Sequence, residues 1–349
     1  MSAMLRDTIT WDRETDTIEF IDQTLLPGEY RVVRCGDIER LAQAIRRLEI
    51  RGAPALGVAG AFGVALAVQR SAARDLRALQ QDASSAAALL TQTRPTAVNL
   101  AWGVDRVLSR IMASSSPEQA RETAVREAIA IAAEDVDLCK KIGEHGAALL
   151  PDTCTVLTHC NAGALACVRW GTALGVIRSA VASGKQVSVI ACETRPLFQG
   201  SRLTAWELAQ EGIDVRVIPD SAAAHLMRKG GIDAVLVGAD RVTRDAVFNK
   251  IGTYMHAVCA HHHGIPFYVA APYSTIDAAS SEEDVVIELR AREEIAWCGD
   301  RQLLPDGVEA RNYAFDATPL ELVSAVITER GVFHPPLALE NMRGIRRTI

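Results

Sequence analysis

The sequence has no Cys-x-x-Cys pair, no basic surplus and no low-complexity run, and each absence removes a class of protein. Eight cysteines, Cys35, Cys139, Cys154, Cys160, Cys167, Cys192, Cys259 and Cys298, are scattered over 349 residues without a dense framework. That spacing fits reduced thiols serving mostly as small buried hydrophobes, and argues against a disulfide scaffold. Lys and Arg number 37 against 43 Asp and Glu, a net charge of −6, so neither nucleic acid nor a membrane surface is expected as a partner. The first residues show no apolar signal core and no uninterrupted apolar stretch is expected to span a bilayer, which makes a cytoplasmic location the expectation. There is no P-loop, and no G-x-G-x-x-G follows a strand, so ATP and nicotinamide dinucleotides are not expected as cofactors. His261, His262 and His263 stand in a row with no spaced carboxylate or cysteine, so no metal is expected either. What remains is cofactor-free chemistry on a small molecule.

What is present is a chain that is 49% hydrophobic and long enough to bury a large core in two domains. Residues 17–23 alternate and residues 30–34 are β-branched, which predicts a hairpin near the start. Helical spacing follows over residues 37–48, and Pro54 sits where the first turn of the next helix accepts a proline. Gly57, Gly60 and Gly63 recur every three residues; with no strand before them they predict close helix packing, not a nucleotide loop. Further helices are expected over residues 84–90, over 96–111 and from Pro117 to about residue 148, the last bridging two domains. After Pro151 short apolar runs at 155–159, 186–191, 214–218, 234–237 and 266–270 alternate with helical segments. This predicts an α/β fold: a Rossmann-like parallel-sheet domain over 151–349, preceded by a smaller, mainly helical domain over 1–150 with a short antiparallel β element.

In an open parallel sheet ligands sit beyond the carboxyl ends of strands. The run 234–237 ends at Gly238 with Asp240 just beyond, followed by Asn249 and Lys250, an acid, an amide and a cation suited to an anionic substrate. The run 155–159 ends in Cys160, and a helix starting near Ala164 would favour its thiolate. The run 186–191 ends in Cys192-Glu193-Thr194-Arg195-Pro196, with Gln199 close behind. Arg51, Gly52 and Ala53 precede a proline-started helix, a good phosphate position, and Arg94 is expected to stand in the same way before Pro95.

Residues 51–57, 93–99, 157–166, 193–208, 238–241, 249–253, 265–272 and 315–319 resemble, in order, the methylthioribose-1-phosphate isomerase family. The resemblance implies a homodimeric aldose–ketose isomerase that needs no cofactor and acts on a small phosphorylated sugar in methionine salvage. It implies a catalytic pair at Cys160 and Asp240, and substrate contacts at Arg51, Gly52, Ala53, Arg94, Gln199, Asn249 and Lys250. For Asp240 to act as an acid near neutral pH, an apolar setting has to raise its pKa. The chain departs from the family pattern at Cys192, at Ser221-Ala222-Ala223 and over 243–248, all beside strand ends. A paralogous isomerase of 5-deoxyribose 1-phosphate is the alternative, ribose 1,5-bisphosphate a weaker one. The same fold also resembles regulatory subunits of a translation-initiation exchange factor, which bind instead of catalysing.

Overall fold

The computed structural model describes residues 6–95 and 97–337. Among these residues two compact units are formed: one holds the described residues up to 138 with a later segment, 163–171, and the other holds 139–162 and 172–337.

The first unit opens with a three-stranded antiparallel sheet, β1 (Ile9–Asp12), β2 (Thr17–Ile21) and β3 (Val32–Cys35). The predicted hairpin is β2–β3; β1, which pairs with the other edge of β2, alternates between buried and half-buried residues but is only four residues long. Helices α1 (Ile38–Arg46), α2 (Ala53–Arg70), α3 (Leu76–Thr91), α4 (Val98–Met112) and α5 (Pro117–Ala147) follow. Asp37 caps α1 by accepting the N–H groups of Glu39 and Arg40. In α2 every residue from Ala55 to Leu66 is buried. That helix is long and apolar enough by composition to cross a bilayer, contrary to the expectation that no such stretch exists, yet its surface is spent on the core of this unit.

The glycines explain how α2 can be buried on all sides. A Cβ on Gly103 of α4 would stand 2.0 Å from the Gly57 carbonyl oxygen, and one on Gly60 would stand 2.8 Å from that of Leu100. One on Gly63 would meet Leu90 and Leu41 side chains at 2.7 and 2.8 Å. The repeat is close helix packing, as its spacing predicts.

The second unit is built on a seven-stranded sheet. Its strands are β4 (Thr153–Thr158), β5 (Gln186–Cys192), β6 (Val215–Ile218), β7 (Ala234–Val237) and β10 (Phe267–Ala270), with β16 (Ala325–Thr328) and β17 (Gly331–Phe333) at one edge. All pairs are parallel except β16–β17. Alternation sorts each strand between two faces: Val156, Val189 and Leu236 pack into one cluster, while Leu157, Ile190, Val235 and Val237 pack into the other. Helices α6 (Ala173–Ala182), α7 (Ala205–Gln210), α8 (Ala223–Arg228) and α9 (Thr253–His262) connect the strands.

A second element follows β7. Strands β8 (Arg241–Val242) and β9 (Ala246–Lys250) form a hairpin, and β15 (Phe315–Pro319) pairs with β9. Between β10 and β15 the chain makes an excursion carrying β11 (Leu289–Arg290), α10 (Glu293–Ala296), β12 (Trp297–Cys298), β13 (Arg301–Gln302) and β14 (Asn312–Tyr313).

Candidate active site

The strand order is β17-β16-β10-β7-β4-β5-β6. From β4 the chain steps to β5 and β6 on one side, then crosses back to β7 on the other. The order therefore reverses between β4 and β7, and in doubly wound sheets that reversal opens a crevice at the carboxyl ends. Cys160 follows β4 and Asp240 follows β7, one on each flank of that switch point. Gln199 follows β5. Two bonds bring the end of β9 to the same place: Asp240 donates its backbone N–H to the Phe248 carbonyl at 2.9 Å, and His159 Nε2 meets the Ile251 carbonyl at 2.8 Å. Asn249 and Lys250 lie between those anchors.

Cys160 is half-buried and sits at φ 63°, a left-handed conformation that costs a non-glycine residue energy unless its surroundings impose it. Those surroundings are hydrogen bonds. Its N–H donates to the Thr194 hydroxyl at 2.8 Å, and its carbonyl accepts from the Thr204 hydroxyl at 2.6 Å. Thr194, itself at φ 65°, donates its hydroxyl to the Cys192 carbonyl at 3.0 Å. Asn161 donates to Thr204 and to Glu207, and Glu207 is paired at 2.6 Å with Arg178, which also holds Glu211 at 2.7 Å. Glu207 and Arg178 are buried, so this pair is specified by its partners on every side. Gly200 completes the frame, since a Cβ there would fall 1.6 Å from the Cys192 carbonyl oxygen. A π-turn over Gly200–Thr204 runs into α7 and carries Thr204 to Cys160.

The expected helix near Ala164 is a single 3-10 turn, Ala164–Ala166, and α6 begins only at Ala173. The helix-dipole argument for Cys160 fails accordingly, and the hydrogen bonds to its backbone fix only where its side chain stands. Asp240 is exposed, so the apolar setting asked of it is not in place in this structure. Arg94 is corrected too: α4 starts at Val98 with Ala97 as its cap residue, so Arg94 stands four residues before its helix, whereas Arg51 stands two before α2. Arg51 does precede a helix start. Gly52 is the cap residue at φ 94°, with no side chain capping the helix, and a Cβ there would stand 2.5 Å from Ala166.

Asn249 is buried and donates to the Thr253 hydroxyl at 3.0 Å, while the Lys250 ammonium stands 4.9 Å from the Phe315 ring centre. Gln199 is buried with its Oε1 unpartnered. Sequence reasoning missed Asp316, whose carboxylate accepts the Gly252 and Tyr254 N–H groups at 2.7 and 3.2 Å. Burial raises its pKa to about 6 against those bonds and the nearby Lys250 charge. Its signal, an acid in register opposite Asn249, exists only once β15 pairs with β9. His159 and His256, 97 positions apart, meet at 3.2 Å only in the folded chain; burial lowers their pKa values to about 4 and about 3, so both rings are neutral at neutral pH.

The arrangement places a thiol and a carboxylate across a switch point, beside an amide and a cation. That is the equipment for proton transfer on a small anionic substrate. The chain belongs to the Initiation factor 2 subunit family, whose sequence profile matches residues 49–335. Within that class, the protein named methylthioribose-1-phosphate isomerase in Desulforamulus reducens is 49% identical over 345 residues, covering 97% of this chain and 98% of its own. A Moorella thermoacetica protein named 5-deoxyribose 1-phosphate isomerase is 50% identical over 323 residues, covering 91% and 92%. Two solved structures superpose closely. One, of 5-methylthioribose 1-phosphate isomerase from Pyrococcus horikoshii, has TM-score 0.91 and 40% identity, covering 97% of this chain and 95% of that one. The other, described as translation initiation factor eIF-2B subunit delta from A. fulgidus, has TM-score 0.89 and 53% identity, covering 97% and 100%.

Proposed function

We propose that the protein is an aldose–ketose isomerase that converts 5-methylthioribose 1-phosphate to 5-methylthioribulose 1-phosphate, a step of methionine salvage. The observation that carries this reading is the pair Cys160 and Asp240 flanking the β4–β7 switch point, in a chain about half identical to proteins named for that activity. The phosphate ester locks the anomeric carbon, so the C1–O4 bond must break before hydrogen can move. In the proposed route Asp240 donates a proton to O4 as that bond breaks. Cys160, as thiolate, takes the proton from C2, and the electrons form a C1–C2 double bond. The Asp240 carboxylate takes the hydroxyl proton of the enol, C1 takes a proton back from the Cys160 thiol, and a ketone is left at C2 with both groups returned to their starting forms. Because Asp240 is exposed, the bound substrate has to displace the water around its carboxyl group for the acid role. Arg51, Gly52, Ala53, Arg94 and Gln199 are assigned to substrate contacts, and Asn249 and Lys250 to the grip on the phosphate.

The 5-deoxyribose 1-phosphate reading stays in play because a relative just as similar carries that name. Ribose 1,5-bisphosphate is disfavoured: Arg241, a candidate for a second phosphate, already faces Asp277 at 3.7 Å. A purely binding role is disfavoured by the retained thiol and acid. A homodimer in the cytoplasm, and the division of the chain near residue 150, complete the reading. The assignment of roles is tested with Cys160→Ala and Asp240→Asn, which should bind the sugar phosphate with kcat lowered about 10²–10⁴-fold. Near-normal kcat in either variant rejects that assignment.

A further inference from the structure

Under the proposed catalytic pair the fold gathers a second cluster that neither proton transfer nor phosphate binding uses. The sequence reading weighed only residues 261–263 as metal ligands; the residues that converge are others. His159 follows β4, Cys192 closes β5, Asp220 follows β6 and His256 lies in the first turn of α9. One ligand-capable atom from each lies within 4.8 Å of all the others. His159 Nδ1 stands 3.2 Å from His256 Nε2 and 3.8 Å from Asp220 Oδ1. Zinc bonded tetrahedrally to nitrogen, oxygen and sulfur at about 2.0–2.3 Å spaces its ligands roughly 3.3–3.7 Å apart. The two measured separations bracket that range, and the widest permitted one needs to close by about an ångström, a side-chain adjustment.

The surrounding bonds suit coordination. His159 Nε2 faces the Ile251 carbonyl, so it carries the ring proton and Nδ1 offers its lone pair to the cluster. Asp220 accepts the Thr194 and Arg195 N–H groups, each at 2.8 Å, which fixes the carboxylate and leaves a lone pair on each oxygen. Cys192, His159 and His256 are no more than 1% exposed, and Asp220 keeps 20% of its side chain exposed, which gives an ion a way in. In the empty cluster His256 Nε2 donates to His159 Nδ1, and coordination moves that proton to His256 Nδ1, which is buried without a partner.

We infer that His159 Nδ1, His256 Nε2, the Cys192 sulfur and an Asp220 oxygen form a four-coordinate site for a zinc-class divalent cation. Binding displaces the thiol proton to solvent, and thiolate plus carboxylate balance the dication, so a neutral complex forms where an isolated thiolate would be costly. Four protein ligands leave no open position, so the ion clamps the carboxyl ends of β4, β5 and β6 to α9 below Cys160.

To test this, the full chain is stripped with a chelator, dialysed against zinc(II) alone and analysed for metal, then loaded with cobalt(II) for its electronic spectrum. One equivalent per chain is expected, with a thiolate-to-cobalt charge-transfer band and the intense visible bands of a four-coordinate ion. Cys192→Ser should abolish the charge-transfer band, and His256→Gln should weaken zinc binding at least about tenfold. Absence of stoichiometric uptake by the wild-type chain overturns the inference, as does a charge-transfer band that survives Cys192→Ser. The wild-type titration decides even if a variant fails to fold. Metal content is read without turnover, so a chain that loads zinc but isomerises nothing refutes the function and not the site.

Discussion

At the scale of single residues, the chain spends backbone strain to present one sulfur. Cys160 and Thr194 both hold left-handed conformations, and the Thr194 hydroxyl ties them by accepting from one and donating beside the other. Thr194→Val keeps the branched shape and removes both bonds. It should cost about 1–3 kcal/mol of stability for the orphaned Cys160 N–H. In kinetics kcat should fall with KM nearly unchanged, and Thr194→Ser should restore it. A Val variant with unaltered kcat but lowered stability would mean that Thr194 is structural only. None of this could be read from the sequence, where Thr194 is one more polar residue between a strand and a proline. Cys160 and Asp240 were legible, because strand ends announce themselves by where an apolar run stops.

Elements differ in how much of themselves they reveal. The strands β4, β5, β6, β7 and β10 could be placed within two residues at each end from their apolar runs, even β6, which lies at the sheet edge with no buried residue, and the glycine repeat of α2 announced a close helix contact. The β8–β9 hairpin and β15 are not among the strands expected from the sequence, since β8 has only two residues and β9 pairs with a strand 65 positions further on, from Ala246 opposite Pro319 to Lys250 opposite Phe315. Asp316 gained its meaning through that distant pairing. The α2–α4 contact makes its own prediction. Gly103→Ala puts a methyl group 2.0 Å from a backbone oxygen that cannot swing aside. The helices must separate, at a cost of about 1–3 kcal/mol or more. A urea midpoint equal to that of the parent protein would contradict the packing described here.

For the molecule as a whole, the composition excluded more than it identified, and the strand order, which no local pattern encodes, turned scattered strand ends into a site. Stability also carries a pH signature. Asp135 of α5 is buried, accepts the Val168 N–H at 2.7 Å, and has its pKa raised by burial from 3.8 to about 7. Its folded form thus holds a proton that the unfolded chain releases earlier. The stability it contributes is full below pH 3.8, declines as pH rises and is gone above about pH 7. Asp135→Asn keeps an oxygen for Val168 and cannot ionise, so its denaturant midpoint should decline less than the parent's between pH 4 and 7. Parallel declines in the two proteins would mean that Asp135 is already ionised in the folded state.

The most direct test of the central claim is turnover of purified 5-methylthioribose 1-phosphate followed by NMR, with 5-deoxyribose 1-phosphate run alongside. Appearance of the C2 ketone at a kcat/KM no lower than for the deoxy sugar is the predicted result. A preference for 5-deoxyribose 1-phosphate of a hundredfold, about 2.8 kcal/mol of transition-state binding, would contradict it.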